Sequence, residues 1–114
     1  MSSSHFSEIK KYLCNLRKAD VAVFEETDCL IRFRITDLQS NTVKHFTIHY
    51  CDSSEGAESL NRERPMYHYY YLQFEQELVP FNDGDLGTIT EWKWYPYEDD
   101  VLARVKELRR RYNR

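Results

Sequence analysis

A small α+β domain is the fold this sequence predicts: an antiparallel meander of about five strands, with an N-terminal and a C-terminal helix packed on one face. Three observations lead there. Apolar residues recur at three- and four-residue steps near both ends of the chain, the spacing of an amphipathic helix. Between them, several stretches alternate apolar with polar side chains, the period of a strand with one dry face. Most of the segments joining those stretches are short, which favours antiparallel neighbours.

The first helix is expected over His5 to Leu16, where Phe6, Ile9, Leu13 and Leu16 make the apolar stripe and Tyr12 lies beside it. Ser4 is the expected N-cap. Val21 to Glu25 and Cys29 to Thr36 read as two strands. In the second, Cys29, Ile31, Phe33 and Ile35 alternate with Leu30, Arg32, Arg34 and Thr36. Asp37 to Asn41 is turn-like. Val43 to Cys51 is a third strand, with Phe46, Ile48 and Tyr50 on one face and His45, Thr47, His49 and Cys51 on the other. Asp52 to Pro65 reads as irregular, long enough to be mobile or functional. Met66 to Val79 is a long fourth strand, with Tyr70, Leu72, Phe74 and Leu78 inward. Phe81 to Asp85 is a turn, and Thr88 to Tyr95 a fifth strand. Glu98 to Tyr112 closes the chain as a helix. Its acids sit in the first turn and its arginines in the last, complementing the macrodipole. Val101, Val105, Leu108 and Tyr112 form its stripe.

With 114 residues, the chain forms a single domain over 1–114, large enough for one core without metal or disulfide staples. Residues 1–4 are expected to be disordered. Apolar content of 41% and aromatic content of 15% suit a folded globule. No apolar run approaches the roughly 20 residues that span a bilayer. Met1 to His5 lacks the basic and apolar regions of a secretory signal. Cys14, Cys29 and Cys51 are odd in number and widely spaced, which fits reduced thiols in a cytoplasmic protein.

Net charge is −3, unevenly spread. Residues 74–100 carry eight acids against Lys93 alone, and residues 101–114 carry six basic groups against Glu107 alone.

The densest feature is the run Tyr67-His68-Tyr69-Tyr70-Tyr71, followed downstream by Trp92-Lys93-Trp94. Strand alternation divides the run. Tyr70 joins the inward set, while Tyr67, Tyr69 and Tyr71 form an outward stripe continued by Gln73, Glu75 and Glu77. Trp92 and Trp94 share a face of the next strand, and cross-strand pairing would join them to that stripe. Exposed rings supply binding area at low entropic cost. The competing reading is internal packing, with the outer face covered by the long loop or by a second copy.

Other constellations are weaker. His45, His49 and Cys51 share a strand face, with His68 on a neighbouring strand, but no metal-ligand spacing frames them. No motif activates Cys51 as a nucleophile beside His49 or His68. The stretch from Asp83 to Glu91 fails the calcium-loop register: Gly84 at position six puts Val79 at position one, and Gly87 there puts Leu86 at position five.

The expected function is therefore a non-enzymatic protein-binding domain with no cofactor: an inhibitor, an immunity or anti-defence factor, or an adaptor. Its site would comprise Tyr67, Tyr69, Tyr71, Glu75, Glu77, Glu91, Trp92 and Trp94, and its partner a protein with a basic surface. One alternative is an RNA or single-stranded nucleic-acid module using Arg32, Arg34 and the arginine-rich last helix. Overall acidity opposes it. The other alternative is a structural homodimer.

Overall fold

The computed structural model describes residues 5–77 and 87–112. Its elements, in order, are α1 (Ser7–Cys14), β1 (Ala19–Glu26), β2 (Leu30–Asp37), β3 (Thr42–Tyr50), α2 (Ser54–Ser59), β4 (Tyr70–Glu77), β5 (Thr88–Tyr95) and α3 (Glu98–Arg110). The strands form one sheet in the order β1-β2-β3-β4-β5. Each neighbouring pair is antiparallel, so the meander is the one expected.

One sheet face carries the core. Ile31, Phe33 and Ile35 of β2, Phe46 and Ile48 of β3, and Leu72 and Phe74 of β4 are buried there beneath Phe6, Ile9 and Leu13. Val101, Leu102, Val105 and Leu108 of α3 complete the layer. The alternating strand pattern thus meets the two helical stripes, and burial of apolar surface drives both. Phe33, Phe46 and Phe74 form a row across three strands, with ring centroids 5.1 and 5.2 Å apart. Tyr70 Oη donates to the His5 carbonyl at 2.9 Å, and the His5 ring stacks on Tyr50. These contacts tie the lead-in of α1 to the sheet.

Several expected boundaries change. The first helix is shorter at both ends. Ser4 lies outside the described residues, and Phe6 takes the N-cap position without a side-chain bond. The segment after β3 is not wholly irregular: it holds α2, whose N-cap Ser53 accepts from the Gly56 amide at 3.3 Å. β4 starts four residues later than expected, because Tyr67 adopts φ 65° in a turn. Leu78, Val79 and the turn over 81–85 lie outside the described residues. α3 ends at Arg110, so Tyr112 lies beyond the helix, while Leu102 joins the stripe. At the sheet edge the β1–β2 register shifts between Val23 and Glu25, a bulge that leaves Phe24 as the extra residue.

The helix ends are satisfied by distant side chains. Glu98, in the first turn of α3, accepts from the Glu8 and Ile9 amides of α1 through Oε2 at 2.8 and 3.0 Å. Arg109, in the last turn, donates to the Arg17 carbonyl just past α1 and to Asp37 Oδ1. The two helices therefore run parallel, with an acid at their paired N-termini and an arginine at their paired C-termini. Beneath the end of α3, Lys44 of β3 is only 1% exposed. Its ammonium donates to the Arg109 carbonyl at 2.5 Å and the Arg111 carbonyl at 2.7 Å. Gln76 of β4 donates to the Tyr112 carbonyl at 3.1 Å. Backbone carbonyls that a helix end leaves open are thus closed from the sheet below.

Burial lowers the Lys44 pKa to about 8, opposed by the charge of Asp37. Its unfolded value lies near 10.5. Between those values the unfolded chain holds more protons, so this group makes stability rise with pH. Urea unfolding is expected to show that rise from about pH 8 to pH 10, before tyrosine ionisation intervenes. Lys44→Met should remove it and cost about 1–3 kcal/mol at pH 7 by leaving the helix-end carbonyls open. An unchanged pH profile in the variant would refute this role.

Candidate functional site

The sheet face opposite the helices is the candidate surface. Strand register sets its layout. One row reads Leu30, His49, Tyr71, Trp94; the next Arg32, Thr47, Gln73, Trp92; the third Arg34, His45, Glu75, Thr90. On β1, Glu25 lies opposite Arg32 and Ala22 opposite Arg34.

The first row is buried at Tyr71 and half-buried at Leu30, His49 and Trp94. Segment 52–68 leaves the end of β3 and returns across this face. Gly56 of α2 lies so close to the strand end that a Cβ on it would sit 3.2 Å from Cys51 Cβ. Arg64 donates to the Cys51 and His68 carbonyls. The Arg62 guanidinium lies over the Trp92 ring, 4.8 Å from its centroid. Tyr71 stands on β4, between His49 of β3 and Trp94 of β5. It is 2% exposed although it belongs to the outer face. Cys51 and Ala57 are buried with it, outside the main core, so the molecule has a second and smaller apolar packing here. Tyr71 packs on Trp94 at 4.8 Å between ring centroids and lies 6.3 Å from the His49 ring. Its hydroxyl meets no hydrogen-bond partner among the described residues. His49 Nε2 lies 3.1 Å from Gln73 Oε1. Burial holds the His49 pKa below the usual histidine value.

The outward tyrosine stripe is therefore divided further. Tyr67 is exposed, but on the turn before β4. Tyr69 is half-buried against the main core, stacked on Tyr50 and beneath the Arg64 guanidinium. Trp94 is half-buried beside Tyr71. Glu91 lies on the helix-covered face rather than beside Glu75. It is held by Arg104 of α3, whose Nε donates to Oε2 at 2.7 Å and whose second nitrogen binds Oε1. Arg104 keeps the Glu91 carboxyl below its ordinary range. The correction follows from strand parity: Glu91 and Trp92 are sequence neighbours and must point to opposite faces.

An open region remains, centred on His45, Glu75 and Trp92. His45, Thr47, Gln73, Glu75, Thr90 and Trp92 line a shallow depression there. Trp92 is 53% exposed, and Glu75 and Glu77 are exposed. Towards β1, the Arg34 guanidinium lies over the Phe24 ring at 5.4 Å, and Phe24 is 56% exposed. The region thus has an acidic half on β4 and an arginine half on β2, each with an exposed ring at its outer side. Phe24 and the arginine half were not among the residues expected to bind a protein. The alternation of β2 had already placed Arg32 and Arg34 outward; Phe24 shares the parity of Ala22, which lies opposite Arg34, and the bulge brings Glu25 to that side as well.

The histidines and Cys51 do not converge. Among the described residues, no group of three His, Cys, Asp or Glu side chains could hold a metal ion. His68 Nδ1 is turned to the Met66 carbonyl at 3.0 Å. Burial pushes the Cys51 thiol up, away from the thiolate a nucleophile needs. The last helix lies on the opposite side of the sheet from Arg32 and Arg34. Its Arg104, Arg109 and Arg111 pair with Glu91 and Glu107, with Asp37, and with Glu107 respectively. No helix among the described residues is long and apolar enough to cross a membrane.

No protein-family model, curated protein or solved structure matches this chain.

The two aromatic environments separate cleanly by mutation. Tyr71→Ala should cost about 3–5 kcal/mol in urea unfolding, as a core ring does, and Trp92→Ala about 1 kcal/mol or less. Equal losses would refute the division of this face into covered and open regions.

Proposed function

We propose that this chain is a small non-enzymatic protein-binding domain that occludes a basic surface on its partner. An inhibitor, an immunity or anti-defence factor and an adaptor all work in this way. The observation that carries the reading is Trp92, a large ring left half exposed, bordering the same depression as the exposed carboxylate of Glu75. A tryptophan at the centre of a contact contributes more than its area implies, and nearby charge steers the encounter. Glu77 extends the acidic row along β4. Tyr67 stands exposed at the other end of the strand, where it adds a peripheral contact. Tyr71, Trp94, Tyr69 and Glu91 support this surface from within, through packing and ion pairing.

The division of basic groups between two sides of the sheet favours this reading over a nucleic-acid module. Arg32 and Arg34 do not join the last helix in one continuous stripe, and Glu75 and Glu77 would repel phosphate beside them.

The test uses the whole chain as bait, alone and as the Trp92→Ala, Glu75→Arg double variant. Protein captured by the wild type should bind the variant at least about tenfold more weakly, the scale of a lost hot spot. Unchanged capture and unchanged oligomeric state would overturn the reading. So would salt-sensitive retention of single-stranded RNA that the double variant leaves intact.

A further inference from the structure

We infer that the basic surface this face fits is its own: the open region of the outer face docks onto the same region of a second copy, around a two-fold axis lying along β3. The inference rests on the protein-binding reading and names the partner. It starts from register. Rotation about an axis parallel to β3 keeps each row level and exchanges β2 with β4 and β1 with β5. Arg34 and Glu75 occupy one row, on either side of β3, with His45 between them. In the paired sheets, Arg34 of each copy therefore faces Glu75 of the other, and His45 lies at the axis. The same rotation sets β1 over β5. The exposed Phe24 of one copy then comes over Trp92 and Thr90 of the other. Charge and exposed aromatic surface are thus complementary under one operation, which an interface between identical patches requires.

The dimensions agree. Facing sheets pack about 10 Å apart, a gap that an arginine and a glutamate reaching from opposite sides can bridge. A sheet of five strands measures about 24 Å across, and eight residues of strand about 26 Å. Segment 52–68 occupies one end of that area. The remainder is about 400–500 Å² per copy, which places the dimer among weak, concentration-dependent associations.

Sedimentation equilibrium of the full chain tests the inference. From about 5 to 500 μM at low salt, the mean mass should climb from 13.8 kDa towards twice that value, the range expected of a micromolar association. Added salt should reverse the climb. Arg34→Glu and Glu75→Arg should each abolish it. Mixing the two single variants should restore a dimer, because each pairing is then of opposite charge. Recovery in the mixture also shows that both variants are folded. A wild type that stays monomeric throughout overturns the inference, as does a mixture that fails to recover. A monomer that still captures another protein through Trp92 overturns only the second copy as partner. A monomer with no Trp92-dependent capture overturns the protein-binding reading as well.

Discussion

Two helices laid side by side in the same direction bring like ends of their dipoles together, and this electrostatic constraint governs how the helical layer is closed. In this chain the compensation is shared. Glu98 lies in the first turn of α3 while its carboxylate closes the amides of α1. Arg109 joins the two C-terminal ends, and Lys44 and Gln76 reach up from the sheet to the carbonyls that follow. Each of these residues links elements far apart in sequence. The core supplies the apolar driving force, but these polar contacts set the position of α3 along the sheet and the point where it stops. Burial pushes the Glu98 carboxyl upward against its two amide bonds, a sign of how closely the helices approach around it.

With α1 and α3 committed to one side, the short segment 52–68 is the only cover that the described residues give the other side of the sheet. That segment suffices to bury Tyr71 and Cys51 at one end of the face. Beneath it lie Tyr71 and Cys51; beyond it lie Trp92, Glu75, His45 and the arginines of β2. The boundary between packing and recognition thus runs across the strands rather than between the two faces of a strand. Tyr71 and Trp92 belong to the same face and adjacent rows, yet one is core and the other surface.

Much of this architecture was legible in the residues. The alternation in β2, β3 and β4 placed Ile31, Phe33, Phe46, Ile48, Leu72 and Phe74 correctly, and helical spacing did the same for Ile9, Leu13, Val101 and Leu108. Period alone indicates which face a side chain points to. It does not indicate what covers that face, so Tyr71 read as outward and exposed when it is outward and buried. Lys44 was overlooked for a related reason. A lysine in an alternating strand reads as polar, and its inward parity becomes meaningful only once α3 ends above it. Glu91 was grouped with Glu75 and Glu77 by charge, although its odd-even relation to Trp92 already placed it on the other face. Capping of α1 by Glu98 had no local signal, because its partners lie about ninety positions apart.

The bulge at Phe24 has a consequence for the size of any assembly. An open five-strand sheet has two unpaired borders, and a straight border invites further strands to add indefinitely. The extra residue bends and twists β1 and breaks the regular spacing of its outward amides and carbonyls. Growth by strand addition is discouraged on that side. The same irregularity brings Glu25 round to the face that Phe24 already shares with Ala22, opposite Arg32, so one local distortion both discourages strand addition and sets an acid beside the exposed ring.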